Sequence, residues 1–220
     1  MTGHVVLLGD SIFDNGAYTE GGPDVITQLR GMLPAGWRAS LLAVDGSTIA
    51  DLHAQSARLP ADATHLVISI GGNDVLANLD VLALRVKSSS EALLKVGQRV
   101  REFERGYREA IRPVLTLGKQ TTICSIYNGN LEAANVLEAS LLPDPAVARI
   151  GLMAFNDVIL RVAFENGLDV IDLRLVCTEP ADYANPIEPS SRGGGKIARA
   201  ILHALGLARE SARPSSVYRT

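Results

Sequence analysis

Only two cysteines, Cys124 and Cys177, occur in 220 residues. A pair so far apart forms neither a disulfide framework nor a metal-ligand spacing. Basic excess is lacking too: 21 Lys and Arg stand against 24 Asp and Glu, with no basic block, which removes the electrostatic footprint of a nucleic-acid binder. No apolar run approaches the roughly 20 residues that a membrane span needs. A secretory leader is not expected either, because Gly9, Asp10 and Ser11 interrupt the run Val5, Val6, Leu7 and Leu8 before an apolar signal core can form. What remains, 47% hydrophobic and 20% charged residues, is the composition of a folded globular protein. One cytoplasmic domain over residues 1–207 is expected, with a polar tail over 208–220 that contains Pro214 and frays.

Short β-branched runs alternate with helical patterns, and this alternation fixes the fold class. Strands are predicted over 4–8, 37–44, 65–70, 120–126 and 168–173. Several are nearly continuous in Val, Ile and Leu, as parallel strands covered on both faces are. Helices are predicted over 23–32, 47–59, 88–117, 146–166 and 192–205. The third is the clearest, with Leu93, Val96, Val100, Phe103, Tyr107, Ala110 and Val114 recurring every three or four residues; Pro113 is expected to kink its last turns. Strand–helix alternation of this kind predicts a doubly wound parallel sheet with right-handed crossovers, hence a three-layer α/β/α sandwich with five strands.

In open α/β sheets the ligand site lies beyond the carboxyl ends of the strands. At those ends stand Gly9-Asp10-Ser11, then Asp45-Gly46-Ser47, then Gly71-Gly72-Asn73-Asp74, and after the fifth strand the Pro- and Ser-rich loop 177–192. Strands often end in small polar turns, so position alone does not make a site. A serine at a strand-to-helix turn can present its hydroxyl at the sheet edge, a glycine admits close backbone approach, and an asparagine amide is an uncharged donor for a developing oxyanion. The bland alternatives are an N-cap for Ser11 and a helix-start residue for Asn73. Asp10 and Asp74 are expected to fix their turns by bonding backbone N–H groups. Nothing in the spacing of Asp10, Asp14 and Asp74 calls for a metal.

Gly9-Asp10-Ser11-Ile12 near the N-terminus, Gly46 after the second strand and Gly71-Gly72-Asn73-Asp74 after the third resemble the GDSL, or SGNH, hydrolase family. The resemblance runs in order from the first strand to the last helix, and it implies that family's five-stranded parallel sheet in flavodoxin-like order. It implies that Ser11 is the nucleophile of an esterase. It further implies that the Ser11 N–H, the Gly46 N–H and the Asn73 amide form the oxyanion hole. No cofactor is implied, and the partner is a small-molecule ester. With no dedicated lid segment visible, short esters or acetylated sugars are the default expectation. The motifs are silent on oligomeric state.

One family element is missing. Members carry Asp-x-x-His-Pro after the last strand, whereas this chain reads Asn185-Pro186-Ile187-Glu188-Pro189. Asp has become Asn185 and the general-base His has become Glu188. None of the four histidines replaces it well. His4 and His65 precede strands, and seven residues of extended chain put His4 about 23 Å from Ser11. His203 lies well along the last helix. His53, one to two turns past Gly46, is not excluded by distance, but reads as a solvated helix residue. A carboxylate is about two pKa units less basic than imidazole, roughly 3 kcal/mol of proton-transfer driving force, part of which burial restores. The exchange is coherent, because Asn185 can donate to and orient a carboxylate that an Asp would repel. A Ser11–Glu188 pair oriented by Asn185 is therefore expected. The alternative is a hydrolase-shaped pocket without catalysis that binds a ligand or partner.

Gly193-Gly194-Gly195-Lys196 does not make a phosphate loop, because the earlier Gly and the following Ser or Thr of that motif are missing. No dinucleotide-binding glycine pattern follows the first strand. Cys124, within a predicted strand, is expected to be a small core residue, and Trp37 and Tyr127 to pack or line the sheet edge.

Overall fold

The computed structural model describes residues 2–134, 143–208 and 215–217. Five strands, β1 (Gly3–Gly9), β2 (Trp37–Leu41), β3 (His65–Ser69), β4 (Gln120–Cys124) and β5 (Asp169–Ile171), form one sheet in the order β2-β1-β3-β4-β5. All four pairings are parallel: Gly3 lies opposite Trp37, Val5 opposite His65, His65 opposite Gln120 and Thr122 opposite Asp169. The flavodoxin-like order implied by the family resemblance is the one observed. Most of the tail expected to fray lies outside the described residues.

Among the described residues six helices flank the sheet: α1 (Val25–Met32), α2 (Leu52–Ser56), α3 (Gly72–Leu76), α4 (Ser89–Leu115), α5 (Pro145–Glu165) and α6 (Ser191–Ala204). Their starts are written in the sequence. Asp24, Ser88, Asp144 and Ser190 each accept a first-turn N–H, and Pro145 occupies a first-turn position, where its missing N–H costs nothing. Helix α4 continues through Pro113 and ends two residues later.

The alternation along β1 sorts the core into two layers. Val5 and Leu7 face α1 and α6, packing with Leu29, Ile197 and Ile201. Val6 and Leu8 face α2, α4 and α5, packing with Leu52, Ile111 and Ile159. With so few aromatics the fully buried side chains are mainly Leu and Ile, and burying each stabilises by about 1.5–3 kcal/mol.

Several boundaries depart from the sequence reading: β4 stops at Cys124 rather than 126, β5 covers Asp169–Ile171 rather than 168–173, and α1 starts at Val25 rather than 23. β2 ends at Leu41 rather than 44, because the N–H groups of Leu42 and Ala43 both turn onto the Leu7 carbonyl and that of Val44 onto Gly9. The ladder is thereby broken where the second site turn begins. The helix expected over 47–59 is a short 3₁₀ turn, Ile49–Asp51, followed by α2; Thr48 and Asp51 cap each other there and fix its start. α3 and the 3₁₀ segment Leu79–Ala83 occupy a stretch read only as a turn, too short to show a helical period.

Candidate active site

The first turn is built by glycine and aspartate. Gly9 adopts φ +136°, and a Cβ there would lie 1.7 Å from the Ser69 carbonyl oxygen, so only glycine lets β1 leave the sheet against β3. Asp10 Oδ1 then accepts the Ile12 N–H at 3.1 Å, and the Asp10 carbonyl accepts Phe13 and Asp14. The chain coils into a single helical turn with Ser11 on it, as the Asx-turn expectation required. Asp74 does the equivalent at a distance, accepting the Ile49 N–H at 3.0 Å.

Ser11, Asn73 and Glu188 line one cavity beyond the carboxyl ends of β1, β3 and β4. Asn73 Nδ2 donates to the Ser47 carbonyl at 2.8 Å, which fixes the amide plane and leaves its second N–H to give. Gly46 lies one residue before that carbonyl, in an exposed turn. A Cβ on Gly46 would meet nothing within 4 Å, but its φ is +78°. Glycine is thus required there for the backbone conformation of the turn. Neither the Ser11 N–H nor the Gly46 N–H donates to a protein acceptor among the described residues.

Glu188 is 8% exposed. The Ser11 hydroxyl lies close enough to favour its ionised form, while Oε2 is buried without a hydrogen-bond partner among the described residues. Burial pushes its pKa up to about 7, opposed by the Ser11 hydroxyl and assisted by the negative charge of Asp45. Asp10 is pushed to about 7 as well, chiefly by burial, opposed by the Ile12 N–H and assisted by Glu188 and Asp74. Two carboxyls that resist ionisation thus line the one cavity.

Asn185 orients something other than the carboxylate. Its Oδ1 accepts the backbone N–H groups of Ile187 and Glu188, both at 2.9 Å, an Asx arrangement that shapes the turn. The expected donation to the Glu188 side chain is replaced by a grip on the Glu188 main chain. His53 is exposed on α2, His203 is exposed on α6, and neither lines the cavity. His4 is held by Ser40 and Asp62 at the far edge of the sheet. Among the described residues no group of three or more His, Cys, Asp or Glu could hold a metal, and no helix is long and apolar enough to cross a membrane.

Three further residues frame the site: Asn15 and Gln55, which escaped the sequence reading, and Tyr127, which was expected to pack or line the sheet edge. Asn15, fully buried, donates from Nδ2 to the Pro189 carbonyl at 3.1 Å and accepts the Val25 N–H at 2.9 Å. Gln55 grips both polar groups of Gly9 at 2.7 and 2.8 Å and reaches the Ser47 hydroxyl. The Tyr127 hydroxyl donates to the Ile187 carbonyl, and its ring meets Tyr183 edge-on. All three act on main chain far away in sequence; only the placement of Asn15, four residues after Ser11, hinted at a role.

The GDSL-like lipase/acylhydrolase family model matches residues 7–195. No curated protein matches the chain in sequence. Among solved structures, an extracellular lipase from Streptomyces rimosus superposes with TM-score 0.68 at 16% identity, over 92% of this chain and 100% of that one. Phospholipase A1 from Streptomyces albidoflavus gives 0.63 at 16%, over 91% and 98%. An acetyl xylan esterase variant from Geobacillus stearothermophilus gives 0.64 at 20%, over 100% and 99%. A motif series met in order, a cavity at the predicted sheet edge and a family match over most of the length lead to one assignment: the chain belongs to the GDSL-like lipase/acylhydrolase family, and by class it is a carboxylic ester hydrolase.

Proposed function

We propose that the protein hydrolyses carboxylic esters through an acyl-enzyme on Ser11, with the Glu188 carboxylate as general base. The observation that carries this reading is the Ser11 hydroxyl sharing one cavity with a buried carboxyl whose ionised form it favours and whose Oε2 has no hydrogen-bond partner among the described residues. A carboxylate near pKa 4 would be a poor acceptor for a serine proton at neutral pH. One raised to about 7 has recovered most of the deficit relative to imidazole.

Ser11 Oγ attacks the ester carbonyl carbon while its proton passes to Glu188. The negative charge that develops on the former carbonyl oxygen is received by the N–H groups of Ser11 and Gly46 and the free N–H of Asn73, each donor of this kind being worth about 3 kcal/mol in the transition state. Collapse of the tetrahedral intermediate expels the alcohol, which takes the proton from Glu188. Water then attacks the acyl-serine, gives a proton to Glu188, and the second collapse releases the carboxylic acid as that proton returns to Ser11 Oγ. Asn185 and Asn15 act on main chain and are positioning residues.

Purified protein should be labelled by a fluorophosphonate at Ser11 and should turn over p-nitrophenyl esters, with both properties lost in Ser11→Ala. Glu188→Gln, which keeps shape but not basicity, should lower kcat by two or more orders of magnitude. An unchanged kcat in that variant removes Glu188 from the mechanism, and turnover that persists in Ser11→Ala removes the acyl-enzyme.

A further inference from the structure

The cavity that holds Ser11 extends well beyond the reacting atoms. Val75, Leu79, Val96, Ile126, Leu152 and Phe155 wall its far part. These come from α3 and the 3₁₀ segment after it, from α4, from the stretch after β4 and from the first half of α5. Leu82 and Val147 line the same cavity and are 42% and 44% exposed, so they form an apolar mouth. Among the described residues no Lys or Arg lines it, and the charged groups that do are the carboxyls of Asp10 and Glu188, both at the serine end.

We infer that this apolar chamber is an acyl-chain site, and that the protein selects uncharged esters of medium-length aliphatic acids over acetates and over acids ending in a charge. The inference rests on the hydrolytic reading above and specifies its substrate. Size supports it: the cavity, serine end included, measures about 150 Å³, and an apolar cavity of that volume accepts a six-carbon ring. An acetyl group would leave its aliphatic part unfilled, whereas a chain of about six carbons reaches into it. Chemistry supports it too. Asn78 and Asn128 are the other polar side chains of the lining besides those at the serine end, and a sugar hydroxyl placed among the aliphatic walls would lose its hydrogen bonds to water without replacement. A terminal carboxylate there would find no Lys or Arg among the described lining residues to pair with.

Each methylene moved from water into an apolar site favours the bound state about fourfold. Four more methylenes than acetate, if buried in the transition state, should therefore raise kcat/KM on the order of a hundredfold. The comparison is p-nitrophenyl acetate, p-nitrophenyl hexanoate and the mono-p-nitrophenyl ester of adipic acid, whose acyl part has six carbons and a terminal carboxylate. Hexanoate should exceed the other two by one to two orders of magnitude. Gly151 provides the structural control. It lines the cavity from α5, and a Cβ there meets nothing within 4 Å, so Gly151→Leu adds bulk to the chamber while improving helix propensity. The hexanoate-to-acetate ratio should drop at least tenfold in this variant.

Rates for acetate and hexanoate within threefold of each other, or a ratio untouched by Gly151→Leu, overturn the acyl-chain site even when Ser11 is labelled. An adipate half-ester cleaved as fast as the hexanoate overturns the selection against charge. If no ester is cleaved and Ser11 is not labelled, the hydrolytic reading fails, and the chamber is then decided by binding alone. Titration of the Ser11→Ala protein with N-methylhexanamide and N-methylacetamide should show the former binding at least tenfold more tightly; equal affinities overturn the inference.

Discussion

The buried Asn15 amide donates to the Pro189 carbonyl at 3.1 Å, joining the turn that carries Ser11 to the residue after Glu188. Its Oδ1 meanwhile holds the first N–H of α1, so one side chain fixes the nucleophile turn, the base loop and a helix start together. Gly194 of α6 makes room for it: a Cβ there would approach Asn15 Nδ2 to 3.3 Å. On the other side Tyr127 holds the Ile187 carbonyl and the Asn130 N–H holds that of Pro186. Glu188 is thus clamped from the main chain in both directions, which is how a long loop places a carboxylate to the tolerance that proton transfer requires.

Removal of that clamp should act on chemistry more than on substrate binding. Asn15→Ala leaves the Pro189 carbonyl and the Val25 N–H buried without partners, a destabilisation of about 1–3 kcal/mol for each. The expected kinetic result is a fall in kcat of tenfold or more on p-nitrophenyl hexanoate with KM changed far less, since Asn15 does not line the acyl chamber. A lower melting temperature with kcat unaltered would make Asn15 purely structural.

Activity and stability should run in opposite directions with pH. As general base Glu188 must be ionised, so kcat/KM should rise through an apparent pKa of about 7 and level off above it. For stability the sign is reversed. Burial raises the folded-state pKa of both Glu188 and Asp10 to about 7, above their unfolded values near 4. Between about pH 4 and 7 the folded state therefore binds more protons, and stability falls as pH rises through that window. Asp45→Asn removes a negative charge that raises Glu188, so its activity profile should shift to lower pH. Denaturant melts and pH–rate profiles on the two proteins check both signs. A profile that does not move excludes Asp45 from the electrostatics of the base.

Much of the scaffold could be read before any coordinates. Strand–helix alternation gave the parallel three-layer class and the family resemblance the strand order, and the Gly-polar turns pointed to Ser11 and Asn73, which line one cavity, because each stands at a predictable strand end; Gly46, from the second turn, is not among the residues that line it. Asn185 was noticed but given the wrong bond, since sequence shows that an amide lies three residues from an acid and not which of its atoms faces which group. Gln55 was invisible for a related reason: its partners are the main-chain atoms of Gly9, 46 residues away. The acyl chamber escaped notice because its walls come from five separate stretches, each ordinary core-like sequence on its own.

The run Gly193-Gly194-Gly195, which invited comparison with a phosphate loop, has a packing role at the start of α6. A Cβ on Gly193 would lie 2.1 Å from the Asp182 carbonyl oxygen, and one on Gly195 would lie 2.5 Å from Gln28 Oε1. The Asp182 carbonyl also accepts the Ser190 N–H at 2.9 Å, so a shift of that carbonyl would pass directly into the loop bearing Glu188. Gly193→Ala trades a helix-propensity gain of about 0.5–1 kcal/mol against a backbone clash, and overpacking of this kind costs about 1–3 kcal/mol or more. The expected outcome is a melting temperature lower by roughly 3–10 °C, together with a reduced kcat. Gly31→Ala is the matched control, because it lies within α1 and its Cβ would meet nothing within 4 Å; it should gain stability with activity intact. If Gly193→Ala melts at or above the wild-type temperature, close packing does not explain the glycine run.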